Sequence, residues 1–529
     1  MAEKPMTTLI RSIKQVNEQY IHLIHGMRIA FFGLILAIVG AVATYKFGLL
    51  AIPMAGGLLV IVAILFIGYK FWWKMLVFVL FGYMFLSRGF ASIGFHPVFI
   101  GEITLSLGLI TLLIFPFSDK IKLVSLKRLR QPEVIIILIM LGWNLACTLP
   151  YIGAYQFDAL RDAMLYGYSI YALLIVALIP KDRIEAFFRL YGKAIPFVVA
   201  WSLPLLLNSH LQIVTWAFPG SPFPFIYSKG SDIGVHLAGI VAFMLLQLDQ
   251  IHTTRPRWAT WLMWITWGVS TIFYSSLGRA LLLCAAASVG IVLMMRPLQS
   301  RWDRPLLMIV MVLCLMLITN TYTAEIDIGN HRVISAEQLV ANVSSIFGIG
   351  DNSQGSLEGT KQWRLHWWDA IINYTFHGPY FWTGKGYGVN LANSDGFQVL
   401  ADESLRSPHN GHLTYLARGG VPALVIWFAF LGVLAFRLLR FALLKFRSHP
   451  LQARYAVWLF AYLFAHMLMT SFDVFIEGPM GGIWFWALVG MSIAYFTNEE
   501  KPASRKFGLT PQQQSFDELL HLKTKPPLS

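Results

Sequence analysis

The stretch "GGVPALVIWFAFLGVLAF" at residues 419–436 contains no charged side chain. A run of about 20 apolar residues is long enough to cross a bilayer as an α-helix. Similar runs recur from Arg28 almost to Thr497, and charged residues make up only 13% of the chain. A soluble domain carries about 25% charged residues. The sequence therefore predicts an all-α polytopic membrane protein.

About 14 helices are expected to cross the membrane. They are predicted near residues 29–45, 48–68, 71–87, 98–117, 133–150, 163–180, 194–208, 234–250, 259–275, 280–295, 305–321, 411–436, 455–471 and 481–496. This gives transmembrane helices 1–11 within 29–321 and helices 12–14 within 411–496. A large loop at 322–410 separates them, with an amphipathic segment at 1–28 and a basic tail at 497–529.

Basic stretches fix the predicted orientation. "SDKIKLVSLKRLRQPE" at 118–133, "RLLRFALLKFRSHPLQAR" at 437–454 and the basic tail all fall on the side of the N-terminus. Because positive loops remain in the cytoplasm, both termini are predicted there. The net charge of +14 therefore needs no nucleic-acid partner. The loop 322–410, where acidic residues outnumber basic ones, is predicted to be periplasmic, and loops of this length are usually functional.

Within that loop, "TKQWRLHWWDAIINYTF" at 360–376 predicts a helix. Trp363, Trp367, Ile371 and Tyr374 recur at three- and four-residue spacing and form one apolar stripe. Tryptophan-rich amphipathic helices tend to lie in the membrane interface, so the loop is expected along the membrane surface. "GKGYG" at 384–388 lacks the spacing of a phosphate-binding loop and is interpreted as flexible backbone.

No motif requires a metal or cofactor. The sequence contains no HExxH, no DxD and no nucleophile elbow, and its three cysteines all lie in apolar segments. The polar candidates are instead at the predicted periplasmic ends of helices. In "SPHNGHLTYLARGGVPAL" at 407–424, His409 and Asn410 directly precede a span, and His412 follows one helical turn later. A histidine in this position is an interfacial residue or a general base.

Four cations are candidates for holding a phosphate group. Arg279 in "SSLGRALLL" lies between two apolar helices, where it either reaches lipid headgroups or grips a phosphate. Arg161 has the same two interpretations, although neighbouring aspartates offer it ion-pair partners. Lys229 is a single lysine in a polar loop, and Arg364 fits a solvated helix face equally well.

These stretches resemble the O-antigen ligase and O-antigen polymerase superfamily of bacterial glycan enzymes. The resemblance is carried by "GEITLSLGLI" (101–110), "SSLGRALLL" (275–283), "WRLHWWDAIINYTFHGPYFWTGKGYGVN" (363–390) and "SPHNGHLTYLARGGVPAL" (407–424). It extends over roughly residues 70 to 495 and is strongest in the second half. It implies a helical membrane bundle with one large periplasmic loop between late helices, in the inner membrane of a bacterium.

The resemblance also implies a reaction and its residues. Family members move a glycan from an undecaprenyl diphosphate carrier to an acceptor hydroxyl, on a glycan or a lipid A core, without metal or cofactor. His409 takes the place of the general base, with Asn410 and His412 in support, and Arg279 that of a diphosphate contact. A second arginine is expected in the loop before the 234–250 helix. The loop has Lys229 instead, so Lys229, Arg161 or Arg364 is expected to supply the second grip.

Three other functions remain open. A flippase or transporter for lipid-linked sugars would need buried mid-membrane charges and broken helices. A glycosyltransferase of the class with a carboxylate in its first outer loop is disfavoured, because the loop around 45–48 has no acid. A non-catalytic scaffold is the third. Ligase and polymerase activity are not distinguished by these residues.

Overall fold

The computed structural model describes residues 69–95, 98–114, 128–207, 223–251, 255–295 and 355–497, with short pieces at 211, 215–217, 326–327 and 333–334. The helices of this part are α1 Tyr69–Ala91, α2 Ile100–Ile114, α3 Pro132–Tyr155, α4 Phe157–Gly167, α5 Ser169–Leu178, α6 Lys181–Ser202, α7 Gly230–Leu245, α8 Leu248–Ile251, α9 Arg257–Leu277, α10 Arg279–Met295, α11 Gly355–Phe376, α12 Leu391–Asp395, α13 Gly411–Lys445, α14 Pro450–Thr470 and α15 Pro479–Thr497. A 3-10 helix covers Pro204–Leu207. Two antiparallel strand pairs join β1 Gly94–Phe95 to β2 Val98–Phe99, and β3 Ile326–Asp327 to β4 Val333–Ile334.

The described chain confirms a helical membrane architecture. Helices α1, α3, α13 and α15 are each long and apolar enough to cross a membrane, and α4 with α5, bent by 51°, would make a fifth span. Shorter apolar helices lie at Ile100–Leu112, Gly230–Leu245 and Ala280–Met295. A helix is present at each predicted span that falls on described residues. The total of about 14 stays a prediction, because only four or five spans qualify by length and composition among the described residues. The predicted spans at 29–45, 48–68 and 305–321, the segment 1–28 and the tail after Thr497 lie outside the described residues.

Helices α7, α10 and α14 pack together, and their contacts show how these helices are oriented relative to one another. Trp458 Nε1 of α14 donates to the carbonyl of Gly239 in α7 at 3.1 Å, and Cys284 Sγ of α10 donates to the carbonyl of Ala465 at 3.3 Å. Helix α14 is thus antiparallel to both neighbours. The starts of α7, α10 and α13 and the end of α14 consequently meet at one end of the bundle, here named the His409 end.

Basic side chains gather at the opposite end, here named the Arg437 end. Arg437 Nη1 lies 2.9 Å from Glu133 Oε2, and its Nη2 donates to Thr497 Oγ1 at 2.7 Å. Arg128 Nη1 donates to the carbonyl of Ile179 at 2.6 Å. These arginines belong to the stretches predicted to share one side of the membrane. The structure places them together, as the charge pattern predicted.

The predicted tryptophan-rich helix is confirmed as α11, and its apolar stripe is used for packing within the protein. Trp367 and Ile371 are fully buried. They pack against α12 and against Leu416 and Ala417 in the first turns of α13. The stripe therefore packs on protein and not on lipid, and it ties the loop segment to the helix that follows His409.

The interpretation of "GKGYG" as flexible backbone is wrong. The amide of Lys385 donates to the carbonyl of Ala417 at 2.7 Å, and the amide of Gly386 donates to the carbonyl of Arg418 at 3.1 Å. The amide of Val421 donates to the carbonyl of Phe381 at 2.8 Å. Helix α13 accommodates this segment by breaking at Gly420, whose φ is +73°. Glycines 384, 386 and 388 also have positive φ, so the segment is shaped to lie against α13.

Replacing Gly420 by alanine is predicted to destabilise the protein. A Cβ atom there would lie 2.5 Å from the carbonyl oxygen of Phe381, in a left-handed conformation that costs a non-glycine residue about 1–3 kcal/mol. We expect a lower midpoint of thermal unfolding in detergent. Gly432→Ala, in the same helix but with open space at the Cβ position, is expected to be neutral or slightly stabilising. Equal effects of the two changes would contradict this role of Gly420.

Candidate active site at the His409 end of the bundle

His409 occupies a strained turn directly before α13. Its φ is +54°, a left-handed conformation that is rare for a non-glycine residue and often marks a functional position. The next residue, Asn410, caps the helix, because its side chain accepts hydrogen bonds from the amides of His412 and Leu413 at 3.1 and 3.2 Å. Asn410 therefore fixes the turn that carries His409, and its support of the reaction stays a prediction.

Asp473 lies beside the His409 ring. Its Oδ1 atom is 3.5 Å from His409 Nδ1, a charge-pair distance without the geometry of a hydrogen bond. The His409 side chain is 26% exposed and its Nδ1 is buried, and Nε2 has no hydrogen-bond partner among the described residues. A carboxylate next to one ring nitrogen orients a histidine and stabilises its protonated form. The sequence analysis missed Asp473, which follows the end of α14 in the turn "SFDVFIEGP" at 471–479.

Lys229 faces the same carboxylate. Its Nζ lies 2.8 Å from Oδ1 and 2.6 Å from Oδ2 of Asp473. Lys229 is also the residue before α7, where the side chain of Asp232 caps the helix. The structure therefore brings Lys229 and His409 to the same aspartate, although they are far apart in the chain.

Arg364 of α11 also reaches this cluster. Its Nη1 donates to the carbonyl of Phe472 at 3.0 Å, directly before Asp473. Its Nε is buried and has no hydrogen-bond partner among the described residues. Burial lowers the pKa of the Arg364 guanidinium, and the charge of Asp473 partly offsets this. A guanidinium with an unused donor can accept an anionic ligand.

The charge of Asp473 is stabilised by its neighbours. Burial alone would raise the pKa of this carboxyl group, but the nearby His409 ring and the Lys229 ammonium lower it well below its usual range. Asp473 is therefore a carboxylate at neutral pH. Lys229 binds both of its oxygens, and His409 Nδ1 lies near one of them, Oδ1.

The backbone of Arg279 lies at the same end of the bundle. It is the first residue of α10, and Leu281, half a turn later, contacts Gly234 in the first turns of α7. The start of α10 is thus beside the helix that Lys229 precedes. The side chain of Arg279 lies outside the described residues, so its diphosphate contact stays a prediction.

His412 has both ring nitrogens engaged by the protein. Trp427 Nε1 donates to His412 Nδ1 at 2.9 Å, and His412 Nε2 lies 3.1 Å from Ser471 Oγ and 3.3 Å from the Met467 carbonyl. Because Nδ1 accepts a hydrogen bond from the Trp427 indole, the ring proton of a neutral His412 is on Nε2, which is then the donor. These contacts join α13 to α14, and the supporting role of His412 in the reaction stays a prediction.

Arg161 lies in a different cluster, with carboxylate partners. Its guanidinium is 3.3 Å from Asp158 and 3.6 Å from Asp162. Asp162 also binds Arg406 at 2.8 Å and Arg418 at 2.9 Å. This is the ion-pair interpretation that the sequence left open for Arg161. Arg418 is almost completely buried, and its only sequence signal was a charge inside a predicted span.

Among the described residues, no three histidine, cysteine, aspartate or glutamate side chains are grouped so that they could hold a metal ion. The described cluster offers instead one histidine, one carboxylate and two cations, Lys229 and Arg364. This set suits proton transfer next to a bound anion.

Residues 261–428 match the family model of the O-antigen ligase domain. The matched range includes Arg279, Arg364 and His409, and it confirms the resemblance to the O-antigen ligase and polymerase superfamily. A search of curated proteins gives no match. Residues 261–428 are therefore similar to an O-antigen ligase domain, and the apolar helices of the described residues indicate a membrane protein.

Asp473 should make the stability of the protein depend on pH. An aspartate has a pKa of about 3.9 in an unfolded chain. Because the folded value is lower, the stabilising contribution is complete above the unfolded value and is lost as the pH falls towards the folded value. Between about pH 6 and pH 3, the unfolding midpoint should therefore fall more for the wild type than for Asp473→Asn.

The exposed aspartate of α11 provides the control for this measurement. Asp369→Asn should keep the pH profile of the wild type, since the removed carboxylate contacts only Asn373, at 2.9 Å, among the described residues. Superimposable wild-type and Asp473→Asn profiles would show that the Asp473 carboxylate is not stabilised as described.

Proposed function

We propose that the chain is a metal-independent, inverting glycosyltransferase that moves a glycan from an undecaprenyl diphosphate carrier to an acceptor hydroxyl. The proposal depends on the position of the His409 ring. A turn with positive φ holds this ring beside Asp473, and the cations Lys229 and Arg364 contact Asp473 or the residue before it. The match of residues 261–428 to the O-antigen ligase family supports the reaction class.

In the proposed reaction, His409 is the general base. The acceptor hydroxyl donates a hydrogen bond to Nε2, and its proton passes to Nε2 as the oxygen forms a bond to the anomeric carbon. The resulting imidazolium is stabilised by Asp473, which lies at Nδ1. The bond from the sugar to the diphosphate breaks, and its electron pair stays on the leaving oxygen. Attack from the side opposite the diphosphate inverts the anomeric centre.

Cations stabilise the leaving diphosphate. Fixed positive groups are most effective where negative charge develops during the reaction. Lys229 and Arg364 lie near His409, and Arg279 begins the helix beside Lys229. The position of Lys229 supports it as the substitute for the second family arginine. Arg161 is a weaker candidate, because its guanidinium is occupied by Asp158 and Asp162.

The membrane arrangement is part of the same proposal. About 14 spans in a bacterial inner membrane, with both termini in the cytoplasm, would make the Arg437 end cytoplasmic and the His409 end periplasmic. This assignment is supported by the arginines at the Arg437 end. The acceptor is a second glycan for a polymerase or a lipid A core for a ligase, and the cluster suits both.

Replacing His409 by alanine is predicted to abolish transfer with little effect on folding. Loss of a general base lowers the rate by about 10²- to 10⁴-fold. The measurement is glycan transfer by the purified protein from a lipid-linked donor, together with thermal unfolding. His412→Ala should lower the unfolding midpoint and only weaken transfer, since its two nitrogens bind protein groups. His366→Ala, on the exposed face of α11, is the neutral control.

Several outcomes would contradict the assignment of the base. Turnover by His409→Ala close to that of the wild type would exclude this role, and equal losses for His409→Ala and His412→Ala would reopen the choice. Translocation of the lipid-linked glycan without a new glycosidic bond would favour the transporter alternative.

Transfer is also predicted to continue in the presence of a chelator. If the base and the cations supply the chemistry, incubation with EDTA followed by dialysis should leave the initial rate unchanged. Recovery of a lost rate by Mg²⁺ or Mn²⁺, and not by buffer alone, would contradict metal independence. The same protein without chelator is the control.

A further inference from the structure

The backbone around Arg88 is held in an unusual conformation at the His409 end. Ser87, in the last turns of α1, has φ +50°, and the helix is kinked there. The amide of Gly89 donates to the carbonyl of Tyr227 at 3.1 Å. A Cβ on Gly89 would lie 2.0 Å from the carbonyl oxygen of Phe225. The turn is thus pressed against the segment that leads into Lys229, which fixes the direction of Arg88.

One edge of the Arg88 guanidinium is anchored by a buried aspartate. Its Nε lies 3.2 Å from Asp232 Oδ2, which also accepts from Ser87 Oγ at 2.6 Å. Within the described residues, Nε makes the only hydrogen bond of this side chain, and 26% of the side chain is exposed. The two terminal nitrogens therefore remain as donors for a ligand.

Arg88 faces the cluster around Asp473. Asp232, which anchors it, also accepts a hydrogen bond from the backbone amide of Lys229 at 3.4 Å, and the ammonium of Lys229 binds Asp473. The charge of Asp473 also acts on Arg88. Arg88, Lys229 and Arg364 together exceed Asp232 and Asp473 by one positive charge. This excess positive charge would attract an anion that binds beside His409.

We propose that Arg88 binds the lipid-linked diphosphate through its two terminal nitrogens and makes the site prefer a diphosphate carrier over a monophosphate carrier. The inference rests on the proposed function and adds a contact to it. A guanidinium presents two parallel donors to phosphate oxygens, whereas a lysine ammonium acts as a point charge. Arg88, held by Asp232, and Lys229, held by Asp473, can each bind one phosphate group.

The test compares two probes on the purified full-length chain in nanodiscs, undecaprenyl diphosphate and undecaprenyl monophosphate. Arg88→Gln should weaken binding of the diphosphate by about tenfold, the effect of one charge-assisted contact, and binding of the monophosphate by much less. Arg183→Gln is the matched control. That arginine also directs Nε towards an aspartate, Asp182 at 3.7 Å, but it begins α6 on the far side of the bundle, and both affinities should stay unchanged.

Arg88→Lys provides the second variant in case the glutamine change disturbs folding. A lysine can still form an ion pair with Asp232, but it lacks the two terminal nitrogens that would bind phosphate oxygens. The Arg88→Lys variant should therefore also lose the preference for the diphosphate. Wild-type ratios of the two affinities in the folded variants would overturn the role of Arg88. If the wild type neither binds undecaprenyl diphosphate nor transfers glycan, the proposed function fails. Wild-type binding and transfer with no effect at Arg88 would contradict this inference alone.

Discussion

The buried ion pair of Arg418 with Asp162 connects the parts of the chain that place His409. Its Nη1 lies 2.9 Å from Asp162 in α4 and donates to the carbonyls of Val389 and Gly386 at 3.1 and 3.4 Å. Its Nη2 donates to the carbonyl of Arg406 at 3.4 Å. One side chain thus joins α13, α4 and both ends of the segment 386–406. An unpaired charge at this depth would cost several kcal/mol, so the arginine requires all of these partners to be in place.

The turn at His409 depends on that framework. On one side, Trp368 of α11 donates to the carbonyl of Pro408 at 2.8 Å. On the other, Thr414 in the first turn of α13 donates to Glu477 at 2.8 Å. With the Asn410 cap between them, these contacts hold the left-handed backbone of His409 against its own preference. Strain supported in this way keeps the ring in one orientation before any substrate arrives.

The helices and the position of His409 at a helix start followed from local patterns. Apolar runs predicted each described span, and the four-residue spacing of Trp363, Trp367 and Ile371 predicted α11 with its buried stripe. Asp473 was missed because nothing near it in the chain indicates a partner: its contacts, His409 and Lys229, are 64 and 244 residues away. A carboxylate in a short turn has no periodic signal.

The glycines of "GKGYG" led to a wrong prediction of flexibility, because their packing partners are also distant in the chain. "GKGYG" has the composition of a mobile loop, but its glycines have positive φ angles and pack closely on α13 and α3. Helix α13 bends at Gly420, where its backbone is non-helical. The composition does not indicate which contacts the bend makes possible. The broken turn frees backbone groups of α13, and the segment 381–386 satisfies them, as apolar surroundings require.

Under the proposed function, the shared use of Asp473 links donor binding to the strength of the base. In the structure, Lys229 occupies both carboxylate oxygens at 2.8 and 2.6 Å, while His409 Nδ1 stays 3.5 Å away without a hydrogen bond. A diphosphate that attracts the Lys229 ammonium would weaken its hold on Asp473. The carboxylate would then be free to pair with His409 as the ring takes up the proton. Arg88 does not compete for Asp473, because Asp232 anchors it separately. Arg88, which Asp232 anchors, can therefore bind the diphosphate without releasing its aspartate. Movement of Lys229 away from Asp473 then lets Asp473 stabilise the protonated His409.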